Sequence, residues 1–92
     1  MRLIFSDQSW EEYLYWQQHD PRTLERVNAL IGECKRHPFK GTGKPEPLKG
    51  DLSGWWSRRI TEKDRFVYRV PGKGESQALE IAQVRFHYGP RP

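Results

Sequence analysis

A stretch of ten residues near the middle of the chain, GTGKPEPLKG at 41–50, limits the fold more than any other. Three glycines and two prolines exclude a regular helix and a central strand there, because glycine adds backbone freedom and proline lacks an amide donor. The stretch therefore predicts a stiff loop between two differently patterned regions. The loop is basic, and Glu46 is the only acidic residue between Glu33 and Asp51.

The region before the loop has the pattern of two helices. Ser6 is a good N-cap for a first helix that runs to about His19. Asp20 and Pro21 predict that a second helix starts at once, since aspartate caps a helix and proline suits its first position. The predicted apolar stripes are Trp10, Tyr13 and Leu14 on the first helix, and Leu24, Val27, Leu30, Ile31 and Cys34 on the second.

Strand patterns occupy residues 2–5, 55–60, 65–70 and 77–88, with turns at 61–64 and 71–76. The resulting order β-α-α-β-β-β predicts an α+β fold, in which an antiparallel sheet has two N-terminal helices packed on one face. A chain of 92 residues suits one domain, 1–92, with 89–92 as a short tail.

Charge is distributed unevenly along the chain. Residues 1–33 hold three basic and six acidic side chains, whereas residues 34–92 hold thirteen and six. A basic C-terminal part suggests a polyanionic partner, nucleic acid first, although many small domains are mildly basic without such a role. The single cysteine, Cys34, excludes an internal disulfide and a cysteine-based zinc site. The N-terminal apolar run is only three residues long, so we expect no signal peptide, no membrane span and a cytoplasmic location.

Alternation along the predicted strands places a set of basic side chains on the sheet face away from the helices. The residues predicted to face the helices are Phe66, Tyr68, Ala82, Val84 and Phe86. On the preceding strand, the residues predicted to point inward are Arg58 and Ile60. The opposite face would then carry Ser57, Arg59, Arg65, Val67, Arg69, Gln83, Arg85 and His87, with no acid of its own. This cluster requires a turn of odd length, three or five residues, after Ile60, because opposed residues of a hairpin share a face and only such a turn puts Arg59 and Arg65 on the same one.

Arginines on one face offer bidentate donors to phosphate, and an imidazole such as that of His87 can exchange a proton near neutral pH. Glu46, among Lys40, Lys44 and Lys49, would stay ionised and could serve as a general base. A carboxylate, an arginine and a histidine suit metal-free attack of an RNA 2′-hydroxyl on phosphate. The charged residues also fit an ordinary solvated surface, and the tryptophans also fit a place in the core. The pattern alone favours nucleic-acid binding over nuclease chemistry.

The motifs GKPEPL, LSG-W-SRRIT, R-VY and a closing H-Y, after SW--YLYWQ, resemble the YoeB/Txe family within the RelE/ParE superfamily of bacterial toxins. The similarity runs nearly end to end. It implies the RelE-like microbial ribonuclease fold and a ribosome-dependent endoribonuclease that cuts mRNA in the ribosomal A site and inhibits translation. It also implies a cognate antitoxin whose C-terminal segment wraps the toxin, and a toxin–antitoxin complex that represses its own operon.

The resemblance also implies roles for individual residues. The general base is the glutamate of KPEPL, Glu46; the phosphate-stabilising arginine is Arg65; and the general acid is His87, with Tyr88 beside it. Lys49 and Arg59 match residues that hold RNA, and Lys44 and Arg85 are predicted from the charge pattern as further RNA contacts. The chain differs from the family pattern in its tail, residues 89–92, and in the longer turn PGKGES.

We expect no cofactor and no metal, with the antitoxin, the ribosome and mRNA as partners. Contact with operator DNA would occur only through the antitoxin complex, and exposed tryptophans together with family habit suggest a homodimer. Two alternatives stay open. One is a non-catalytic ParE-like toxin that binds DNA gyrase, and the other is a general RNA-binding domain. The combination of Glu46, Arg65 and His87 favours the nuclease.

Overall fold

The computed structural model describes residues 1–87 of the chain. The helices are α1 (Asp7–His19) and α2 (Pro21–Arg36). The strands are β1 (Arg2–Phe5), β2 (Glu46–Pro47), β3 (Trp56–Arg59), β4 (Arg65–Arg69) and β5 (Ala78–Gln83). The predicted α+β fold is confirmed, and the loop after α2 contributes one additional strand of two residues, β2.

The helix boundaries follow from the predicted capping residues. The Ser6 hydroxyl accepts a hydrogen bond from the Ser9 amide at 3.1 Å. The Asp20 carboxylate accepts hydrogen bonds from the Thr23 hydroxyl at 2.7 Å and the Thr23 amide at 3.1 Å, which lower the pKa of Asp20. Pro21 occupies the first turn of α2, where its missing amide donor costs nothing.

The sheet has the strand order β1-β5-β4-β3-β2 and is mixed rather than wholly antiparallel. Strands β2 to β5 pair with one another in antiparallel fashion, whereas β1 pairs with β5 in parallel. A parallel neighbour needs a long connection, and the two helices together with three strands supply it. The antiparallel prediction therefore fails only at the edge strand β1.

The core lies between the helices and one face of the sheet. Four predicted residues of α2 are buried there, and they pack against aromatic and aliphatic side chains of β4 and β5. The members from these elements are Val27, Leu30, Ile31, Cys34, Phe66, Tyr68, Leu79 and Ile81. Burial raises the pKa of the Cys34 thiol and that of the Tyr68 phenol.

The buried face of α1 differs from the predicted stripe. Trp10 is 47% exposed and stacks on Tyr13 at the edge of the core. The buried residues are instead Ser9, Glu12 and Trp16. Ser9 donates to the Ile81 carbonyl at 2.7 Å, while Glu12 accepts from the Val84 amide at 2.9 Å and Trp16 donates to the Val84 carbonyl at 2.7 Å. Helix α1 therefore satisfies backbone groups at the end of β5, a role that apolar periodicity does not indicate.

A β-bulge ends the last strand earlier than predicted. Val67 pairs with Gln83 and Tyr68 pairs with Ile81, so Ala82 is an extra residue on β5. The insertion shifts the alternation of side chains, and Val84 is buried in the core whereas Ala82 is not part of it. The prediction that Ala82 faces the helices is therefore wrong. Within residues 1–87, neither helix is long and apolar enough to cross a membrane.

Candidate active site

The pairing of β3 and β4 confirms the predicted odd-length turn. Arg59 pairs directly with Arg65, and the five residues 60–64 separate them. The two arginines therefore share one face of the sheet. Glu46 of β2 pairs with Ser57, which lies two positions before Arg59 on β3. Because residues two apart in a strand point to the same side, Glu46 lies on this face too.

The interior of this face is less exposed than alternation suggested. Ser57, Val67 and Gln83 point to it, as predicted, but each is at least nine-tenths buried. Arg59 and Glu46 are exposed at its margin. Arg65 is only 8% exposed, and its Nη1 donates to the carbonyl oxygens of Thr61 at 2.9 Å, Glu62 at 3.1 Å and Asp64 at 3.1 Å. The turn after β3 thus fixes the orientation of the Arg65 guanidinium.

His87 reaches this region through a segment that has left the sheet. Phe86 has a φ of 69°, in the left-handed region that is rare for aromatic residues. Its carbonyl accepts from the backbone amide of Arg65 at 2.9 Å, so the backbone of the next residue, His87, lies close to that of Arg65. The Phe86 side chain lines clefts beside α1, on the helix side as predicted, but it is 46% exposed and is not part of the core. The bulge at Ala82 and this turn at Phe86 replace the continuous strand that had been expected.

Two predicted cluster arginines have other partners. The Arg85 guanidinium carbon lies 3.4 Å from the ring centroid of Tyr15 on α1 and 4.4 Å from that of Phe86. Arg85 thus packs on the helix side and does not continue the row of outward side chains. Arg69 forms an ion pair with Glu80 and lies 4.6 Å from the ring centroid of Trp55. Since Arg69 also pairs with Glu80 in the sheet, the expectation that this face has no acid of its own is wrong.

His87 lies at the edge of a cleft next to α1. Together with Lys63, Asp64 and Arg85, it lines an open cleft of about 550 Å³ whose opposite wall is Tyr15 and Trp16 of α1. Tyr88, predicted as a fourth catalytic residue, lies outside the described residues. Within residues 1–87, the His, Cys, Asp and Glu side chains form no group of three or more that could hold a metal ion.

The loop that carries Glu46 is built around a buried arginine whose inward direction was predicted but whose role was not. Arg58 is fully buried, and its guanidinium donates to the carbonyls of His37, Lys40 (2.9 Å) and Thr42 (3.2 Å) and to the Tyr68 hydroxyl (3.3 Å). Three backbone carbonyls of the segment 37–42 are thus hydrogen-bonded to a side chain in the middle of β3. In the motif SRRIT, nothing in residue type distinguishes the buried Arg58 from the exposed Arg59. Only the inward position of Arg58 in the strand alternation could have indicated its role.

Glu33 completes this arrangement from the last turns of α2. Its Oε1 lies 3.6 Å from Arg58 Nη1 and accepts the Thr42 amide at 2.8 Å. The hydrogen bond from Thr42 and the nearby Arg58 charge lower the pKa of Glu33. A β-carbon at Gly41 would lie 1.9 Å from this carboxylate oxygen, and Gly41 also has a φ of 115°. The φ is the stronger reason for glycine at Gly41, because the end of the Glu33 side chain could shift away from a β-carbon but the left-handed backbone would remain strained.

The lysines of the loop lie on its exposed side. Lys44 has a φ of 52° and follows Gly43, whose carbonyl accepts the Arg59 amide at 2.7 Å. That bond docks the loop on β3 immediately before Glu46. Lys49 is exposed at the start of the short 3₁₀ turn Gly50–Leu52. The structure thus brings Glu46, Arg59 and Arg65 to one sheet face and places Lys44 and Lys49 on the loop beside them. His87 follows the residue bonded to the Arg65 backbone, and it lines a cleft shared with α1.

Comparison with known proteins places this arrangement in a family. Residues 5–88 match the family model of the YoeB-like toxin of bacterial type II toxin–antitoxin systems. The toxin YoeB of Escherichia coli K12 is 53% identical over 88 residues, which cover 96% of this chain and 100% of that protein. The YoeB/ParE toxin from Agrobacterium tumefaciens superposes with a TM-score of 0.94 at 57% identity, over 96% of this chain and 100% of that one.

A third relative comes from Staphylococcus aureus. Its YoeB, solved as a heterotetrameric complex with YefM, superposes with a TM-score of 0.84 at 37% identity, over 96% of this chain and 98% of that one. The same organism's YoeB has also been solved as a dimer. The family model spans nearly the whole chain, and the sequence identities extend over 96% of it. The chain therefore belongs to the YoeB-like toxins of bacterial type II toxin–antitoxin systems.

Proposed function

We propose that the chain is a metal-independent endoribonuclease that cleaves translated mRNA in the ribosomal A site and thereby inhibits translation. One observation carries the proposal: the strand register gathers Glu46, Arg59 and Arg65 on one face, and the Phe86 turn delivers His87 beside Arg65. A general base, a general acid and a cation held close to the phosphate suffice for cleavage by the 2′-hydroxyl.

In the proposed reaction Glu46 takes the proton of the 2′-hydroxyl, and the 2′-oxygen forms a bond to phosphorus. The bond from phosphorus to the 5′-oxygen breaks, and His87 donates a proton to that oxygen. The products are a 2′,3′-cyclic phosphate and a 5′-hydroxyl, so atoms and charges balance. Arg65 stabilises the extra negative charge of the pentacoordinate phosphate, and its bonds to the turn carbonyls hold it in place beforehand. Tyr88 is proposed to assist beside His87.

The surrounding cations are proposed to hold the RNA. Arg59, Lys44 and Lys49 are exposed next to Glu46, where they can bind the phosphates that flank the cut. Arg85 lines the cleft that contains His87, and we propose that it contacts RNA from there while stacked on Tyr15. Such contacts are salt-sensitive, because RNA binding releases condensed counterions.

The proposed biological setting follows the family. We propose a bacterial cytoplasmic protein, a single domain over residues 1–92, inhibited by an antitoxin whose C-terminal segment wraps it. The YoeB of S. aureus has been solved with YefM and as a dimer, which supports an antitoxin partner and a homodimer here. Contact with operator DNA is proposed only through the toxin–antitoxin complex.

Primer extension on a translated message, with and without ribosomes, tests the function. We expect cuts within codons only when ribosomes are present. Glu46→Ala, Arg65→Ala and His87→Gln should each lower the cleavage rate, by about 10²–10⁴-fold where an acid or base is lost. Glu25→Ala, an exposed carboxylate on α2, is the matched control and should cleave at the wild-type rate. Absence of any ribosome-dependent cut, together with inhibition of DNA gyrase, would instead support the ParE-like alternative.

A further inference from the structure

The segment that carries His87 is held in place by side chains rather than by a strand ladder. Strand β5 ends at Gln83, yet the amide and carbonyl of Val84 bond to Glu12 and Trp16, at 2.9 and 2.7 Å. Two residues later, the backbone turns into the left-handed region at Phe86. A residue with a β-carbon adopts this conformation only when its surroundings impose it.

Three hydrogen bonds impose the turn at Phe86. Its amide donates to Oδ1 of Asp64 at 2.7 Å, and its carbonyl accepts from the Arg65 amide at 2.9 Å and from Nε2 of Gln83 at 2.8 Å. The bond to Asp64 involves a carboxylate, and hydrogen bonds to charged acceptors are stronger than neutral ones. Asp64 therefore makes a charge-assisted side-chain contact with the residue immediately before His87.

The Asp64 carboxylate is itself oriented by the turn after β3. Its Oδ2 accepts from the Thr61 hydroxyl at 2.7 Å, and that hydroxyl oxygen accepts the amides of Lys63 at 3.1 Å and Asp64 at 3.0 Å. The carbonyl of Asp64 accepts from Nη1 of Arg65 at 3.1 Å. One residue thus contacts both the guanidinium proposed to bind the phosphate and the backbone that precedes the proposed general acid.

We infer that Asp64 is a positioning residue, whose carboxylate holds the Phe86 turn so that His87 is presented to the leaving 5′-oxygen. The inference rests on the proposed function and adds a residue to its mechanism. Asp64 touches neither the substrate nor the reacting atoms in this role. Gln83, which donates to the carbonyl of the same residue, Phe86, supports the turn from β5.

A change of leaving group separates this role from a merely structural one. In an mRNA whose cleaved position carries sulfur in place of the 5′-oxygen, the leaving thiolate departs without a proton, since a thiol is far more acidic than an alcohol. On ordinary mRNA, Asp64→Ala should lower the single-turnover cleavage rate by about 10²-fold, the effect of a displaced catalytic group. On the sulfur-substituted mRNA, the cleavage rate of Asp64→Ala should lie within about threefold of the wild-type rate. His87→Gln should show the same recovery.

Two further variants complete the design. Gln83→Met removes the second support without changing the turn after β3, and it should show the same pattern as Asp64→Ala. It serves if the Asp64 variant does not fold, which thermal unfolding of each variant checks. Glu46→Gln removes the proposed base, and its loss should persist on both messages.

The outcomes distinguish the inference from the function on which it rests. If His87→Gln is rescued by sulfur but folded Asp64→Ala loses equal activity on both messages, Asp64 does not act through His87 and the inference fails alone. An Asp64→Ala protein with full activity on ordinary mRNA overturns it as well. If the wild type cuts neither message, the proposed function itself fails.

Discussion

Replacing Arg58 with methionine is expected to destabilise the fold by about 3–5 kcal/mol, because several acceptors lose their shared donor and each acceptor left unsatisfied in the interior costs about 1–3 kcal/mol. Arg58 is fully buried, whereas its partner Glu33 remains 23% exposed. The substitution leaves the carbonyls of His37, Lys40 and Thr42 without their shared donor. It also removes a partner of the Tyr68 hydroxyl inside the core.

The magnitude lies well below the sum of the broken hydrogen bonds. Each bond to a charged group is worth about 1.5–3 kcal/mol, and four acceptors would together exceed the stability of many small domains. Lys40 and Thr42 are exposed, however, so water can reach their carbonyls once the loop loosens. The methionine side chain also regains part of the lost packing. The cost of about two unsatisfied acceptors is therefore the better figure.

Thermal unfolding followed by circular dichroism measures the effect. For a domain of this size, about 1 kcal/mol lowers the midpoint by roughly 4–8 °C, so the midpoint should fall by about 12 °C or more. Arg59→Met is the matched control: it removes the exposed neighbour on the same strand and should change stability by about 0.5 kcal/mol at most. A midpoint for Arg58→Met within about 3 °C of the wild type would refute the idea that Arg58 clamps the loop.

Two other predictions concern the same loop. The lowered pKa of Glu33 means that its charge stabilises the fold above about pH 4.5, its unfolded value, and that this contribution is lost as pH falls through the folded-state pKa. Urea unfolding should show Glu33→Gln less stable than the wild type at pH 7, with a difference in stability that shrinks as pH falls below about 4.5; a constant difference would contradict the argument. Gly43→Ala should lower mRNA cleavage while the core stays folded, because a β-carbon there would lie 3.1 Å from the Arg59 carbonyl and Gly43 has a φ of 86°. Wild-type cleavage by this variant would show that the docking of the loop does not position Glu46.

Local signals predicted most of the fold correctly. Ser6, Asp20 and Pro21 set the helix boundaries because caps act over three or four residues. The apolar spacing of α2 predicted its buried face, and the odd-length turn after Arg59 was predicted from the requirement that two arginines share a face. Each of these depends on residues close together in the chain.

The misplaced residues all lie where distant segments meet. Alternation predicted a strand to residue 88, but the bulge at Ala82 and the left-handed Phe86 are imposed by partners on α1 and in the turn after β3. Arg85 was therefore predicted on the sheet face, although its guanidinium stacks on Tyr15. The backbone amides of Phe86 and Val84 bond to side chains 22 and 72 residues away, and contacts between such distant residues leave no periodic pattern in the sequence.

The sequence by itself determined the fold class, the family and the residue types of the proposed site, because motif spacing and helix caps are local properties. Only the tertiary structure decided how those residues are held. Glu46 depends on a loop tied to buried Arg58, and His87 on a turn tied to Asp64, and both ties join segments far apart in the chain. A charged side chain is favoured inside a protein only when specific partners surround it, and those partners are assembled by folding.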